Sequence, residues 1–305
     1  METLRSLVGD PELFLGTAWR REARVLRPSA PPAQLVRLAD LDTALTGGLL
    51  RRPYLELVRS GRNLELGDFT TVRSVGEHEF PGYADPDKVL RRVSSGATLL
   101  MRNIEHWHPG AAALSGRLSA ELGRPVEAFV FVTPPGEQGL SPHRDDADVF
   151  VVQLNGSKRW QVHSVPASGE WDAGYAPHPG PAVLETTVEP GQVLYIPRGA
   201  PHSAVGQSGG LSVHLSLTVR RPGTDALRAM LVRYLDTELS LPPCPVDEAG
   251  LRKTAAELLD HYRDRLGALT PEELCAAVEF GAPDGPGTDT TAAPSLAALA
   301  ALLDG

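Results

Sequence analysis

Cysteine is almost missing from this chain: Cys244 and Cys275 are the only two in 305 residues. Two lone thiols exclude a disulfide framework and a Cys-x-x-Cys metal knuckle. They suit a reducing compartment, so a cytoplasmic location is expected. No apolar run approaches the roughly 18 residues that a membrane-spanning helix needs, and the N-terminus lacks the charged-then-apolar pattern of a secretory leader. Net positive charge is lacking as well. A formal charge of −9 argues against nucleic acid as a partner, because such binding rests on neutralising phosphates with basic side chains. Lysine is scarce: Lys88, Lys158 and Lys253 are the only ones among 29 basic residues, so a lysine at a motif position carries information. Phosphate loops, dinucleotide fingerprints and internal repeats are absent too.

A chain of 305 residues suits one core with smaller additions. A short helical pattern surrounds Pro11-Glu12-Leu13-Phe14-Leu15, followed by Trp19-Arg20-Arg21 and an extended stretch through Val25 and Leu26. From Leu35 to about Leu57 apolar residues recur at helical spacing (Leu35, Leu38, Leu41, Leu45), with a helix starting near Asp40. Short strands and turns are expected over 61–105, then a helix from Pro109 to Leu122 closed by Gly123. From Val126 the period becomes that of a sheet. Strands are expected at Val126–Thr133, Val149–Leu154, Lys158–His163, Val183–Val188, Val193–Ile196 and Leu211–Val219, with Asn155-Gly156 as a tight hairpin turn between two of them. Short strands divided by Gly/Pro turns predict a mainly β chain built on a barrel or jelly roll. Helices return after Arg221-Pro222-Gly223, at Asp225–Leu239, Glu248–Leu266 and Pro271–Phe280, the last with Thr270 as N-cap. Residues 281–294 have linker composition, and Ser295–Leu303 forms a small terminal helix. The expected division is an N-terminal α/β region (1–95), a β core (96–221), a C-terminal helical region (222–282), and a linker with terminal helix (283–305).

His143-Arg144-Asp145 places an imidazole and a carboxylate two positions apart, so in an extended segment both project to one side. The stretch from Asp148 to Leu154 is β-branched and apolar, as a buried strand requires. A second imidazole, His202, stands just past another strand-like stretch, Gly191 to Pro197. Two imidazoles and one carboxylate are the ligand set of a mononuclear non-haem Fe(II) site that leaves coordination positions open. By alternation Lys158 shares a face with Trp160 and Val162. A lysine inside a barrel needs an anion, whereas at a hairpin end in water it needs none, and position alone leaves both open.

Several neighbours have plainer readings. Asp146 and Asp148 read as solvated turn carboxylates, with orientation of a ligand imidazole or attraction of a basic substrate as the alternatives, and His163 and His178 read as surface residues near loops. His106 and His108 have ligand-like spacing but sit before a proline-started helix, outside the barrel strands. The loop from Ala167 to Pro181, with Trp171 and Tyr175, is placed to line a substrate mouth, and the arginines at 20, 21, 24 and 27 form a solvated face.

The run TPPGEQGLSPHRDDADVFVVQLNGSKRWQVH, with EPGQVLYIPRGAPH and LSVHLSLTV behind it, resembles the jumonji-C (JmjC) oxygenases of the cupin superfamily, above all the ribosomal oxygenases and their bacterial relatives. GATLLMRNIEHWHP and the Phe14…Trp19-Arg20 entry are similar to that group's N-terminal half, so the resemblance covers roughly residues 10–220. It implies a double-stranded β-helix core with a C-terminal helical region that forms a homodimer. It also implies Fe(II) held by His143, Asp145 and His202, with 2-oxoglutarate and O₂ as cosubstrates. Lys158 matches the residue that pairs with the distal carboxylate of 2-oxoglutarate. Thr133 matches a position at the pocket rim, and Ser212 and His214 match an S-x-H pattern on the last barrel strand; this adds Thr133 and Ser212 to the expected cosubstrate-binding set, while His214 is equally open to the reading of a core histidine. Two departures stand out: Phe129, Val130, Phe131 and Val132 occupy a strand where the group often carries polar side chains, and the C-terminal region is short.

The implied activity is hydroxylation of a side chain in a protein or peptide. The same chemistry on a small molecule such as a free amino acid is an alternative, and so is a non-catalytic metal-binding cupin. An open groove across the barrel mouth would favour a peptide, and an inward Lys158 weighs against a mere scaffold.

Overall fold

A computed structural model describes residues 1–28 and 36–280. Two short helices, α1 (Glu2–Val8) and α2 (Pro11–Thr17), open the chain and lead into strand β1 (Arg24–Leu26). Helix α3 (Leu38–Thr46), strands β2 (Leu55–Arg59) and β3 (Arg62–Asn63), and the hairpin β4 (Thr70–Val75) and β5 (His78–Ala84) follow. Helix α4 (Pro86–Ser94), strand β6 (Thr98–Met101) and helix α5 (Pro109–Leu122) precede the main run of strands. These are β7 (Val126–Thr133), β8 (His143–Arg144), β9 (Ala147–Asn155), β10 (Lys158–His163), β11 (Gly174–Tyr175), β12 (Ala182–Val188), β13 (Val193–Ile196), β14 (His202–Gly206) and β15 (Ser212–Arg220).

The strands form an eight-stranded sheet, ordered β1-β13-β9-β15-β7-β6-β2-β3, and a five-stranded sheet, ordered β11-β8-β14-β10-β12. Every pairing in them is antiparallel. From β7 to β10 and again from β12 to β15 each strand lies in the other sheet from the one before it, which is the jelly-roll arrangement. Residues from both sheets line one cavity between them, so this is the expected double-stranded β-helix.

The continuous apolar run of β9 serves two faces at once. Phe150 and Val152 pack with Phe14, Trp19 and Tyr195 under the N-terminal helices, while Val149 and Val151 face inward beside Trp160 and Leu194. A strand buried on both sides reads as an unbroken hydrophobic run.

The sequence expectations fail at three places. Asn155-Gly156 is not a hairpin turn, because β9 belongs to the large sheet and β10 to the small one. Gly156 has φ +57°, and a Cβ there would lie 2.4 Å from the Leu211 carbonyl oxygen. Asn155 Nδ2 donates to that same oxygen at 2.9 Å. The dipeptide therefore supplies the positive φ that was read from it, but uses it to carry the chain between sheets. The helical pattern from Leu35 to Leu57 breaks after Thr46 at Gly47-Gly48, and Leu55 to Val58 pair with Met101 to Thr98 as a strand. Within 61–105 the sequence hides α4: Asp85 caps it by accepting from Lys88 N at 3.0 Å, Pro86 starts it, and Val89 and Val93 bury one face.

The chain divides into two compact units, the first ending at Arg221 and the second beginning at Pro222. The β2–β6 pairing and the β6–β7 pairing join part of residues 1–95 to the large sheet itself. The second unit contains α6 (Thr224–Asp236), α7 (Glu248–Ala268) and α8 (Pro271–Phe280). Thr270 caps α8 through its hydroxyl, which accepts from Glu273 N at 3.2 Å. The linker and helix expected over 281–305 lie outside the described residues.

Candidate metal centre

His143 and His202 are direct cross-strand partners where β8 meets β14, and their rings stand 4.3 Å apart. Asp145 follows β8 and turns its carboxylate to both: Oδ1 is 3.7 Å from His143 Nε2, and Oδ2 is 3.5 Å from His202 Nε2. One donor atom from each residue falls within 4.8 Å of the others. The three converge because β8 and β14 are neighbours in the small sheet. Nothing in their sequence separation would require it.

The imidazole tautomers suit a metal. His143 Nδ1 lies 2.9 Å from the Ser141 carbonyl oxygen, and His202 Nδ1 lies 3.1 Å from that of Ala200. A carbonyl only accepts, so each Nδ1 carries the proton and each Nε2 presents its lone pair toward Asp145. Burial, reinforced by His143, lowers the His202 pKa to about 4, which keeps that lone pair free at neutral pH. Two neutral imidazoles and one carboxylate on one side of a cavity fit a ferrous ion with open positions.

The cavity holds about 260 Å³. On the small sheet it is lined by His143, Lys158, Trp160 and His202, and on the large sheet by Phe129, Phe131, Val149, Val151 and His214. Lys158 is 4 % exposed, so the inward reading holds and the hairpin-end reading does not. Its ammonium donates to Thr133 Oγ1 at 3.0 Å and lies 5.7 and 5.8 Å from the Trp160 and Phe131 rings. Thr133 in turn accepts from Thr98 Oγ1 at 3.2 Å. Among the described residues no carboxylate pairs with Lys158, and burial lowers its pKa to about 7. A buried cation with hydroxyl and ring partners alone is a site for an incoming anion.

Other expected residues fall elsewhere. Ser212 is fully buried, but its hydroxyl accepts from Gln153 Nε2 at 3.0 Å and lies off the cavity wall. Thr133 also stands behind the wall and reaches the cavity only through Lys158. Asp148 is not a solvated turn carboxylate: it is 1 % exposed and accepts from the Tyr195 hydroxyl at 2.6 Å and from Arg198 N at 3.2 Å, with Arg20 Nε 3.7 Å away. Asp146 pairs with Arg198. His163, read as a surface residue, is buried at the end of β10, its Nδ1 donating to the Gly180 carbonyl at 2.7 Å. His178 is exposed as expected. His108 caps α5 by accepting from Ala111 N at 3.1 Å, and His106 meets the Tyr54 hydroxyl at 3.3 Å. Tyr175 pairs with His143 on the edge strand β11, and Arg198 covers the Trp171 ring at 5.5 Å.

Residues overlooked in the sequence also line the cavity. Ser216, Thr218 and Arg220 continue the inward face of β15 beyond His214, and Arg102 stands beside them. The signal was present: alternation from His214 picks out all three.

Comparison with known proteins agrees with this geometry. A family model described as the JmjC domain matches residues 109–227. Human ribosomal oxygenase 1 is 31% identical over 232 residues, covering 72% of this chain and 35% of that protein. The Branchiostoma floridae bifunctional lysine-specific demethylase and histidyl-hydroxylase NO66 is 31% identical over 247 residues, covering 73% of this chain and 38% of its own. The chain thus spans less than two fifths of the length of these curated relatives. Among solved structures, Escherichia coli YcfD superposes with a TM-score of 0.57 at 22% identity, covering 86% of this chain and 71% of its own. A YcfD structure in complex with cobalt and 2-oxoglutarate superposes with a TM-score of 0.53. From the jelly roll, the His–Asp–His centre and these matches, the chain belongs to the JmjC family of cupin-fold proteins.

Proposed function

We propose that this protein is an Fe(II)- and 2-oxoglutarate-dependent dioxygenase that hydroxylates a side chain of a protein or peptide. The carrying observation is the convergence of His143, Asp145 and His202 on one wall of a cavity in which the buried Lys158 has no carboxylate partner among the described residues. With O₂ and 2-oxoglutarate, a ferrous ion bound there would insert one oxygen atom into a substrate C–H bond while the cosubstrate becomes succinate and CO₂.

The chain's own part is positioning. His143 and His202 supply Nε2 lone pairs held by their Nδ1–H bonds to backbone carbonyls. Asp145 supplies the negative charge, and its 36 % exposed carboxylate leaves that side of the centre approachable. Lys158 neutralises the far carboxylate of 2-oxoglutarate, with Thr133 fixing the direction of the ammonium. Phe129, Phe131, Val149, Val151 and Trp160 exclude water from the reacting face. A protein target is supported by the relatives named ribosomal oxygenase and histidyl-hydroxylase.

The test loads the protein anaerobically with Fe(II) and 2-oxoglutarate, then admits air in the presence of a proteome digest or candidate peptides. Succinate release together with a peptide one oxygen atom heavier is the expected result. Failure to form succinate under any substrate overturns the reading. A hydroxylated free amino acid in place of a peptide converts it to the small-molecule alternative.

The second unit is proposed to form a homodimer. No residue of α6 or α7 is fully buried, and Val232, Leu251 and Leu259 are more than half exposed. A monomer by light scattering at micromolar concentration would remove that proposal. A cytoplasmic location is part of the same reading, supported by the exposed, unpaired thiols of Cys244 and Cys275.

A further inference from the structure

A group of guanidinium side chains that the proposed mechanism does not use gathers at the open end of the barrel. Lys158 is buried at one end of the cavity, while Arg102 and Arg220 line the other with side chains 39 % and 45 % exposed, so the cavity opens there. Arg220 lies opposite Ala147 and Val219 opposite Asp148 in the β15–β9 ladder, and Arg221 follows. Arg198 stands at the same end, because the Gly199 N–H donates to the carbonyl of the metal ligand Asp145 at 3.0 Å. Arg20 joins them from the N-terminal segment. Of the arginines read as a solvated face, Arg21 and Arg24 spend their charge locally, on the Gly16 carbonyl and on Glu22. Arg20 turns instead to the barrel: its backbone N–H donates to the Tyr195 hydroxyl at 2.7 Å, and its Nε lies 3.7 Å from Asp148. It does so at φ +60°, a left-handed backbone that a non-glycine residue keeps only where its surroundings impose it.

The charges in this group do not balance. Asp148 is buried and already accepts from Tyr195 and Arg198 N with Arg20 beside it, and Asp146 pairs with the Arg198 guanidinium. Arg221 is solvent-exposed and has no carboxylate of its own among the described residues. Partial burial and the charges of Arg20, Arg198 and Arg124 hold its pKa below the ordinary value, and Asp148 alone opposes them. Arg20 and Arg198 lie over the Trp19 and Trp171 rings at 5.3 and 5.5 Å, so they lose little side-chain freedom on meeting an anion. We propose that Arg20, Arg198 and Arg221 dock an acidic segment of the protein or peptide substrate beside the metal centre. The inference rests on the proposed hydroxylation of such a substrate and names the chemistry of the sequence around the modified residue. A guanidinium fork meets a carboxylate through two parallel hydrogen bonds. A short acidic stretch suits a local cationic surplus on a chain whose net charge is −9. Nucleic acid suits it poorly, because its dense phosphate charge extends past the arginines onto a surface that repels anions.

The test is fluorescence anisotropy on the full chain with fluorescein-labelled hexaglutamate and hexauridylate as probes. A chelator is present, so the probe carboxylates cannot bind through a metal. Hexaglutamate is expected to bind, and to bind less tightly as salt rises. Arg221→Glu is expected to weaken it about tenfold. Arg91→Glu makes the same change in net charge at an exposed position on α4, and should weaken it by no more than about twofold. Arg221→Gln removes the positive charge without adding a negative one and falls between wild type and Arg221→Glu. Absence of hexaglutamate binding, or equal losses in Arg221→Glu and Arg91→Glu, overturns the docking surface. Hexauridylate binding as tightly as hexaglutamate overturns the acidic segment in favour of a phosphate backbone. The measurement needs neither metal nor cosubstrate, so it stands apart from the succinate test. Hexaglutamate bound at the arginines of a protein that forms no succinate with any substrate supports the docking surface and overturns the oxygenase reading alone.

Discussion

His143 and His202 lie opposite each other in a single antiparallel register, one on β8 and one on β14, with Asp145 reaching both from the end of β8. Removing one imidazole leaves two donors, too few to hold a ferrous ion in a defined geometry. His202→Ala is expected to lose metal binding and, with it, all succinate formation. Metal content after desalting and succinate by mass spectrometry check both. Metal retention with undiminished turnover would take His202 out of the centre. Because metal binds the native fold, wild-type protein should also melt at higher temperature with Mn(II) than with chelator, and His202→Ala should show no such difference.

Lys158→Ala is expected to weaken 2-oxoglutarate binding by about 100-fold while leaving metal affinity intact. Equal weakening of both would contradict the division of labour between the lysine and the triad. Calorimetry with each component in turn separates the outcomes.

Burial gives Lys158 a pKa of about 7 against an ordinary 10.5, and two pH dependences follow with opposite sign. Binding a dicarboxylate requires the ammonium, so 2-oxoglutarate affinity should fall as pH rises above 7, by up to about tenfold per unit. Without cosubstrate, the folded state releases this proton before the unfolded state does. Between about pH 7 and 10.5 the unfolded chain binds more protons, so this group's contribution to stability improves as pH rises. Lys158→Met should therefore stabilise the cosubstrate-free protein most at or below pH 7, and the advantage should shrink toward pH 10. Urea titrations of the two proteins across that range measure it.

Asp148 ties the metal-bearing loop to the N-terminal segment. It accepts from Tyr195 and from Arg198 N, and Arg20 approaches it. Asp148→Ala leaves the Tyr195 hydroxyl and the Arg198 N–H without their acceptor, and is expected to cost about 2–4 kcal/mol. Tyr195→Phe removes the bond donated to Asp148 and the one accepted from Arg20 N at 2.7 Å, and should cost about 1–3 kcal/mol. A double-mutant cycle by chemical denaturation should return a substantial coupling between these two positions.

Gly156→Ala places a Cβ 2.4 Å from the Leu211 carbonyl oxygen at a backbone with φ +57°. The combined strain is expected to cost about 2–4 kcal/mol. A neutral result in denaturant titration would mean that this crossing between sheets is looser than its geometry indicates.

Much of this protein was legible residue by residue. The strands over Val126–Thr133, Lys158–His163 and Val193–Ile196 and the helix over Pro109–Leu122 follow from periodicity and punctuation, and the structure has the same bounds. The triad was legible because H-x-D in an extended segment and a late His after a Gly/Pro-bounded strand form an unusual combination. Asp148 was misjudged because a carboxylate beside a turn is ordinarily solvated. Its burial depends on Tyr195 and Arg20, which the fold brings from distant segments. The Asn155-Gly156 turn was misread for a related reason: local chemistry specifies a positive φ, not which sheet the next strand joins.

By itself the sequence determined the identity of the donors, the face that Lys158 shares with Trp160 and Val162, and the mainly β, barrel or jelly-roll class, since all three depend on residue type and short spacing. Only the tertiary structure decided that His143 and His202 share one register pair, that Lys158 meets Thr133 and two ring faces without a carboxylate, and that Ser212 turns away toward Gln153. Those outcomes are set by strand pairings between remote segments. Such pairings are selected by the packing of the whole core, and no local stretch of chain encodes them.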